Sequence, residues 1–304
     1  MPKSTTAYHL MAIAVVIVWG ITFVSTKILL YNGLSPAEIM LYRFLLAYVC
    51  IWFISPRKLF ADNFTDELKL MFAGIGGGSL YFLTENYALR YTNASNVSLI
   101  ICTAPVLTAL LLHISGKGKG ERIGGKFILG ALLALTGIAL VVFNGSFVLR
   151  LNPLGDILTL IAALSWAVYT LIIRSMDSKY PTVFITRKVF FYGILTLLPV
   201  FIFTPLNFDL QTILKPVVVG NILFLGLIAS MLCYIVWNVA LKHLGGIRTS
   251  NYIFLIPVVT MSASAIIIDE KITWLAVLGG IFVLIGVYVA DRSERKRVDK
   301  TVIK

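Results

Sequence analysis

Few side chains in this sequence could do chemistry, and those few stand inside long apolar runs. Glu85 is the clearest carboxylate of this kind, set in the tract Leu80-Tyr81-Phe82-Leu83-Thr84-Glu85. A charge held in hydrocarbon costs at least roughly 2.5 kcal/mol. Its presence is read as a group that binds an amine or takes up a proton, or else as a side chain that reaches water or pairs with Arg43 or Arg90. Arg43 and Lys188 lie about two turns into their own runs, roughly 10 Å deep, where they could hold an anionic group, act as a gate, or reach back to the interface. Pro105 and Pro257 stand in the middle of apolar runs. Proline has no N–H and crowds the carbonyl four residues back, so the oxygens of Ile101 and Ile253 are expected to be freed and the helices bent, as a hinge requires. Aromatic and amide residues could wall a site for a small organic solute: Trp19, Tyr81, Asn86, Asn96, Trp166, Tyr169, Tyr234, Trp237, Asn238 and Tyr252. Sites for such solutes are mostly apolar with a few convergent polar groups, although Trp and Tyr also collect at membrane interfaces.

Other chemistries find little support. His9, His113 and His243 stand near the ends of apolar runs, and no His-Glu-x-x-His or nucleophile–base set accompanies them, so no enzyme activity is expected. Cys50, Cys102 and Cys233 all fall within apolar runs and read as packing residues rather than as metal ligands or a disulfide framework. Gly74 and Gly76-Gly77-Gly78 are followed by no Gly-Lys-Ser/Thr, which excludes a phosphate loop and with it a self-contained ATP-driven pump. These and the later glycines Gly130, Gly137, Gly279, Gly280 and Gly286 are read as points of close helix contact. No cofactor and no metal are called for.

The elements that must position these residues are membrane spans. Hydrophobic residues make up 59% of the chain, charged residues only 13%, and the mean hydropathy is +0.91. A soluble domain carries about 25% charged residues. Charged or turn-forming residues divide the chain into ten apolar stretches, at 8–29, 35–55, 68–89, 93–115, 125–143, 153–174, 182–203, 216–241, 246–268 and 272–290. Their length calls for helices; a β-barrel would show short alternating segments. The first run continues into Lys27 without a small-residue cleavage site and is read as a retained span. The net charge of +12 does not point to nucleic acid, because the basic residues cluster between spans and in the tail Arg292, Arg295, Lys296, Arg297, Lys300 and Lys304. With the N-terminus inside, most of them fall on the cytoplasmic side, so an inner-membrane protein with both termini cytoplasmic is expected.

The punctuation of the first half recurs in the second. Trp19-x7-Lys27 matches Trp166-x7-Arg174, and Pro36-x6-Arg43 matches Pro181-x6-Lys188. Asn86-Tyr87-Ala88-Leu89-Arg90 matches Asn238-Val239-Ala240-Leu241-Lys242, and the register holds without a gap to Pro105-Val106 and Pro257-Val258. Glu121 precedes Gly137 by the same interval as Glu270 precedes Gly286. The expected organisation is a first five-helix repeat over 1–145, a second over 151–290, and a basic tail over 291–304. An odd number of spans per repeat forces the second half to enter from the opposite side, a plan that recurs in secondary transporters.

These residues also carry a resemblance. The tract Tyr87-Ala88-Leu89-Arg90-Tyr91-Thr92-Asn93-Ala94-Ser95, Pro105-Val106, Gly120-Glu121 and the glycine-rich closing span resemble the EamA-like branch of the drug/metabolite transporter superfamily. The second half repeats the pattern in Ala240-Leu241, Pro257-Val258 and Asp269-Glu270. The likeness covers nearly the whole chain. It implies an all-α membrane protein of ten transmembrane helices in two inverted five-helix repeats around a central cavity, working by alternating access. Amino-acid export is the first expectation; export of amphiphilic drugs or nucleotide precursors is the alternative, and a membrane enzyme or channel is a distant one. The expected partners are a small solute and the bilayer, without nucleic acid, and with a monomer as the working unit. Two departures stand out: a Lys/Gly-rich linker from Gly116 to Gly120, and Glu85 where the second half has Trp237.

Overall fold

The computed structural model describes residues 5–55, 57–91, 94–116, 124–143, 152–176, 178–207, 209–267 and 273–302. Among these residues every regular element is helical, and each predicted span has a helical counterpart. We number the long helical stretches in chain order. The first half holds α1 (Thr5–Tyr31), α2 (Pro36–Ile51), α3 (Phe64–Gly74, a π-helical turn Ile75–Ser79, then Leu80–Tyr91), α4 (Ala94–Ile101 and Ala104–Ile114) and α5 (Gly125–Phe143). The second half holds α6 (Pro153–Met176), α7 (Thr182–Ile202), α8 (Pro216–Leu244, with a π-helical stretch Phe224–Leu232), α9 (Gly246–Ser250, a 3-10 stretch Asn251–Leu255, then Ile256–Ile267) and α10 (Trp274–Val302). Four of them, α1, α6, α7 and α8, are unbroken, long and apolar enough to cross a bilayer by themselves. Glu121, Asp269 and Glu270 lie outside the described residues, as do the linker beyond Gly116 and the side chains of Asn96 and the tail from 291.

Local sequence sets the helix ends. Ser35 caps α2 through the Glu38 backbone N–H while the Glu38 carboxylate accepts from the Ser35 N–H, a reciprocal box reinforced by Pro36 in the first turn. Asn63 caps α3 by accepting from the Asp66 N–H at 2.8 Å. Gly245, at φ 93°, lets the chain reverse tightly between α8 and α9.

The helix contacts come in exchanged pairs. Helix α3 packs on α6 as α8 packs on α1; α4 packs on α6 as α9 packs on α1; α2 packs on α8 as α7 packs on α3. Helices α5 and α10 pack on each other more extensively than any other described pair. A two-fold relation between the halves produces this pattern. Buried aromatic residues fill the centre, among them Phe44, Trp166, Tyr169, Phe190, Tyr234 and Trp237. The outside is apolar too, with Ile17, Leu45, Val49, Leu132, Leu164, Ile281 and Leu284 exposed, as a surface in contact with lipid requires.

The prolines act differently from the bends expected of them. Each stands second in a new helical segment, Pro105 after a break at Cys102-Thr103 and Pro257 after the 3-10 stretch. The missing N–H therefore falls where a helix start has no use for it. The Ile253 carbonyl accepts from the Cys102 thiol at 3.7 Å, joining the two breaks across the bundle.

Candidate functional site

A cleft between the halves holds two of the buried charged residues, Arg43 and Glu85. Trp19 and Thr22 from α1, Arg43 from α2, and Tyr81, Phe82 and Glu85 from α3 meet Trp166 from α6 and Tyr234 from α8. Ile101 and Ala104, on either side of the α4 break, and Ile253 and Ile256 of α9 complete the wall. The empty space, open solvent at its mouth included, is about 480 Å³. The cleft is narrow, because Trp19 meets Trp166 edge-on at 5.2 Å and Tyr81 lies 5.2 Å from Trp166, so an organic solute must part the rings.

Arg43 is 2% exposed, donates through Nε to Ser230 Oγ at 2.9 Å, and lies with its guanidinium carbon 4.1 Å from the Phe82 ring centre. Glu85 is 7% exposed and accepts from the Tyr81 hydroxyl at 3.4 Å. Among the described residues no ion pair joins Glu85 to Arg43, nor does either pair with another charged side chain. Arg43 and Glu85 thus share one ring-walled cleft without a direct ion pair between them. Charged groups within a membrane bundle ordinarily pair or line a functional path.

Of the residues singled out from the sequence, Trp19, Tyr81, Glu85, Trp166, Tyr234 and Arg43 line the cleft. Asn86 instead donates to the Pro36 carbonyl at 3.2 Å, tying α3 to the start of α2. Asn238 accepts from the Tyr169 hydroxyl at 2.8 Å and donates to Thr186 Oγ1 at 3.2 Å, joining α6, α7 and α8. Trp237 is fully buried 4.9 Å from Trp19, behind the wall. Tyr252 lies apart, bonded to His9 at 2.5 Å. Thr22, Phe82 and Ile256 line the cleft but carried no sequence signal, since isolated hydroxyl and apolar residues recur throughout the chain.

Lys188 takes no part in the cleft. It pairs with Glu67 and donates to the Leu59 carbonyl at 3.1 Å, at the end of the bundle where α3 and α7 begin. There Asp66 binds Lys179, the Tyr180 hydroxyl at 2.9 Å and Lys69 at 3.4 Å, while Arg187 donates to the Lys58 carbonyl and its guanidinium stacks 4.1 Å from the Trp52 ring. These bonds tie the first half to the second at this end of the molecule.

An all-helical bundle, apolar outside, with two like halves and a charged cleft between them, is the build of a membrane transporter. The profile of the EamA-like transporter family matches residues 6–143 and again 153–290, and the chain belongs to that family. Along 292 residues it is 28% identical to a protein of Archaeoglobus fulgidus named an uncharacterized transporter, covering 95% of this chain and 98% of that one. It is 26% identical over 287 residues to an Escherichia coli protein named a probable amino-acid metabolite efflux pump, covering 92% and 93%. A solved crystal structure shares the fold with a TM-score of 0.72 at 16% identity, over 97% of this chain and 99% of the other. Transport rather than catalysis is the business of this family.

Proposed function

We propose that the protein exports amino acids or close derivatives across the inner membrane by alternating access, with both termini in the cytoplasm. The observation that carries this reading is the presence of Arg43 and Glu85 in one cleft without a direct ion pair. A zwitterion offers a carboxylate to the guanidinium and an ammonium to the carboxylate, so its own charges complete both pairs at once. The surrounding rings then meet its side chain. The two-fold plan of the fold provides two related ways to open, and the name of the Escherichia coli relative agrees with the substrate class. On the expected orientation the Asp66 end faces the cytoplasm, and its ties between the halves are read as the seal on that side.

Transport by purified protein in proteoliposomes tests the reading. Vesicles loaded with labelled amino acids, with and without a pH gradient, should release them through the wild type. Glu85→Gln keeps the shape but loses the charge. Its apparent affinity should fall roughly tenfold to a hundredfold, the worth of a charge-assisted hydrogen bond. Folded Glu85→Gln protein with wild-type flux would remove Glu85 from the site, and no flux of any amino acid by the wild type would remove the substrate class.

A further inference from the structure

The two halves use equivalent residues unequally. Trp19 donates through Nε1 to the Ala229 carbonyl at 3.1 Å, inside the π-helical stretch of α8. The sequence repeat puts Trp166 in the place of Trp19, and Gly77, in the π-helical turn of α3, in the place of Ala229. Trp166 is 4% exposed, yet its Nε1 has no hydrogen-bond partner. The Gly77 carbonyl accepts instead from the Tyr234 hydroxyl at 2.5 Å.

A second pair shows the same imbalance. Thr260 on α9 donates to the Gly20 carbonyl of α1 at 2.9 Å. Its counterpart Thr108 on α4 is fully buried without a partner, although α4 packs on α6, where Ala167 corresponds to Gly20. Buried donors seldom go unpaired. Here each unpaired donor is the repeat mate of a paired one.

We propose that these are the two settings of one switch: Trp19–Ala229 and Thr260–Gly20 are made in the described conformation, whereas Trp166–Gly77 and Thr108–Ala167 are made when the molecule opens at the Asp66 end. For the tryptophans the π-helical turns supply the carbonyls, since their irregular hydrogen bonding suits them to accept from a neighbouring helix. Tyr234 holds Gly77 until Trp166 takes its place. The inference rests on alternating access, in which the halves exchange conformations, and not on the identity of the substrate.

The test reads conformation directly. Spin labels at Phe64→Cys and Ser178→Cys, both exposed at the Asp66 end, are placed in full-length protein whose Cys50, Cys102 and Cys233 are replaced. Trp19→Phe removes a bond of the described conformation and should raise the ratio of long to short distances roughly threefold to tenfold. Trp166→Phe should lower that ratio by a similar factor, and the double variant should return toward the wild type. Tyr234→Phe frees Gly77 with little change in packing and should act like Trp19→Phe. Trp19→Phe and Trp166→Phe shifting the ratio in the same direction, or neither shifting it, would overturn the switch. Distances are read without substrate, so a failed flux assay and a failed switch are separate results.

Discussion

Asn86 and Asn238 occupy the same place in the repeat but hold different partners. Asn86 makes one interhelical bond, to a backbone carbonyl, whereas Asn238 joins Tyr169 to Thr186 and so binds three helices. Interhelical hydrogen bonds in membranes are worth about 0.6 kcal/mol on average and up to about 1.7. Asn238→Ala should therefore cost about 1–2 kcal/mol in reversible unfolding from micelles, and Asn86→Ala about half of that. An equal or larger loss in Asn86→Ala would contradict the network. Both amides were legible in the sequence as repeated polar residues in apolar runs. Their employment between helices was not, because an amide facing a cleft and one facing another helix have the same sequence context. Glu85 and Arg43 were easier to place, since uncompensated charge in a span is costly enough to be rare.

At the level of elements, the spans and their ends could be read because hydrophobic length and capping residues are local. The π-helical turns could not. Ile75–Ser79 and Phe224–Leu232 fall at equivalent points of the repeat, but their sequences, Ile-Gly-Gly-Gly-Ser and Phe-Leu-Gly-Leu-Ile-Ala-Ser-Met-Leu, share little beyond small residues. Packing across the bundle, which no single segment records, fixes them. The glycines of α5 and α10 behave as their size suggests. A Cβ on Gly130 would lie 2.6 Å from the Gly286 carbonyl, and one on Gly286 would lie 2.6 Å from the Gly130 carbonyl. Both obstacles are backbone, so the helices themselves would have to part. Gly130→Ala is expected to destabilise the protein by about 1–3 kcal/mol, the usual cost of overpacking. Gly125→Ala, with open space around it, is the control. Equal unfolding midpoints for the two variants would show that α5 and α10 can separate freely.

Over the whole molecule the two ends of the bundle are not equivalent in charge, and one of them carries the carboxylates that tie the halves together. Arg43 and Lys188 are repeat mates, yet Lys188 is neutralised by Glu67 whereas Arg43 faces the cleft. The first half supplies Asp66 and Glu67 at the start of α3; the second half has Val218 and Val219 at the matching places. Only the Asp66 end can therefore be tied by these carboxylates. The bond from Lys179, helped by Tyr180 and Lys69, holds the Asp66 carboxyl at about 2 against the opposing effect of desolvation. An unperturbed aspartate titrates near 3.9, so the tie is at full strength above about pH 4 and is lost as pH falls toward 2. Lys69 and Lys179 are more than 40% exposed, so salt should weaken it as well. Asp66→Asn removes the charge at every pH. With labels at positions 64 and 178, Asp66→Asn at pH 7 should show more of the long distance than the wild type, and 1 M salt should move the wild type the same way. The wild type should be constant from pH 7 to 4 and should approach the variant only near pH 2. If Asp66→Asn keeps the short distance at pH 7, the carboxylate does not hold this end shut, and the seal rests on Lys188–Glu67 and Arg187 alone.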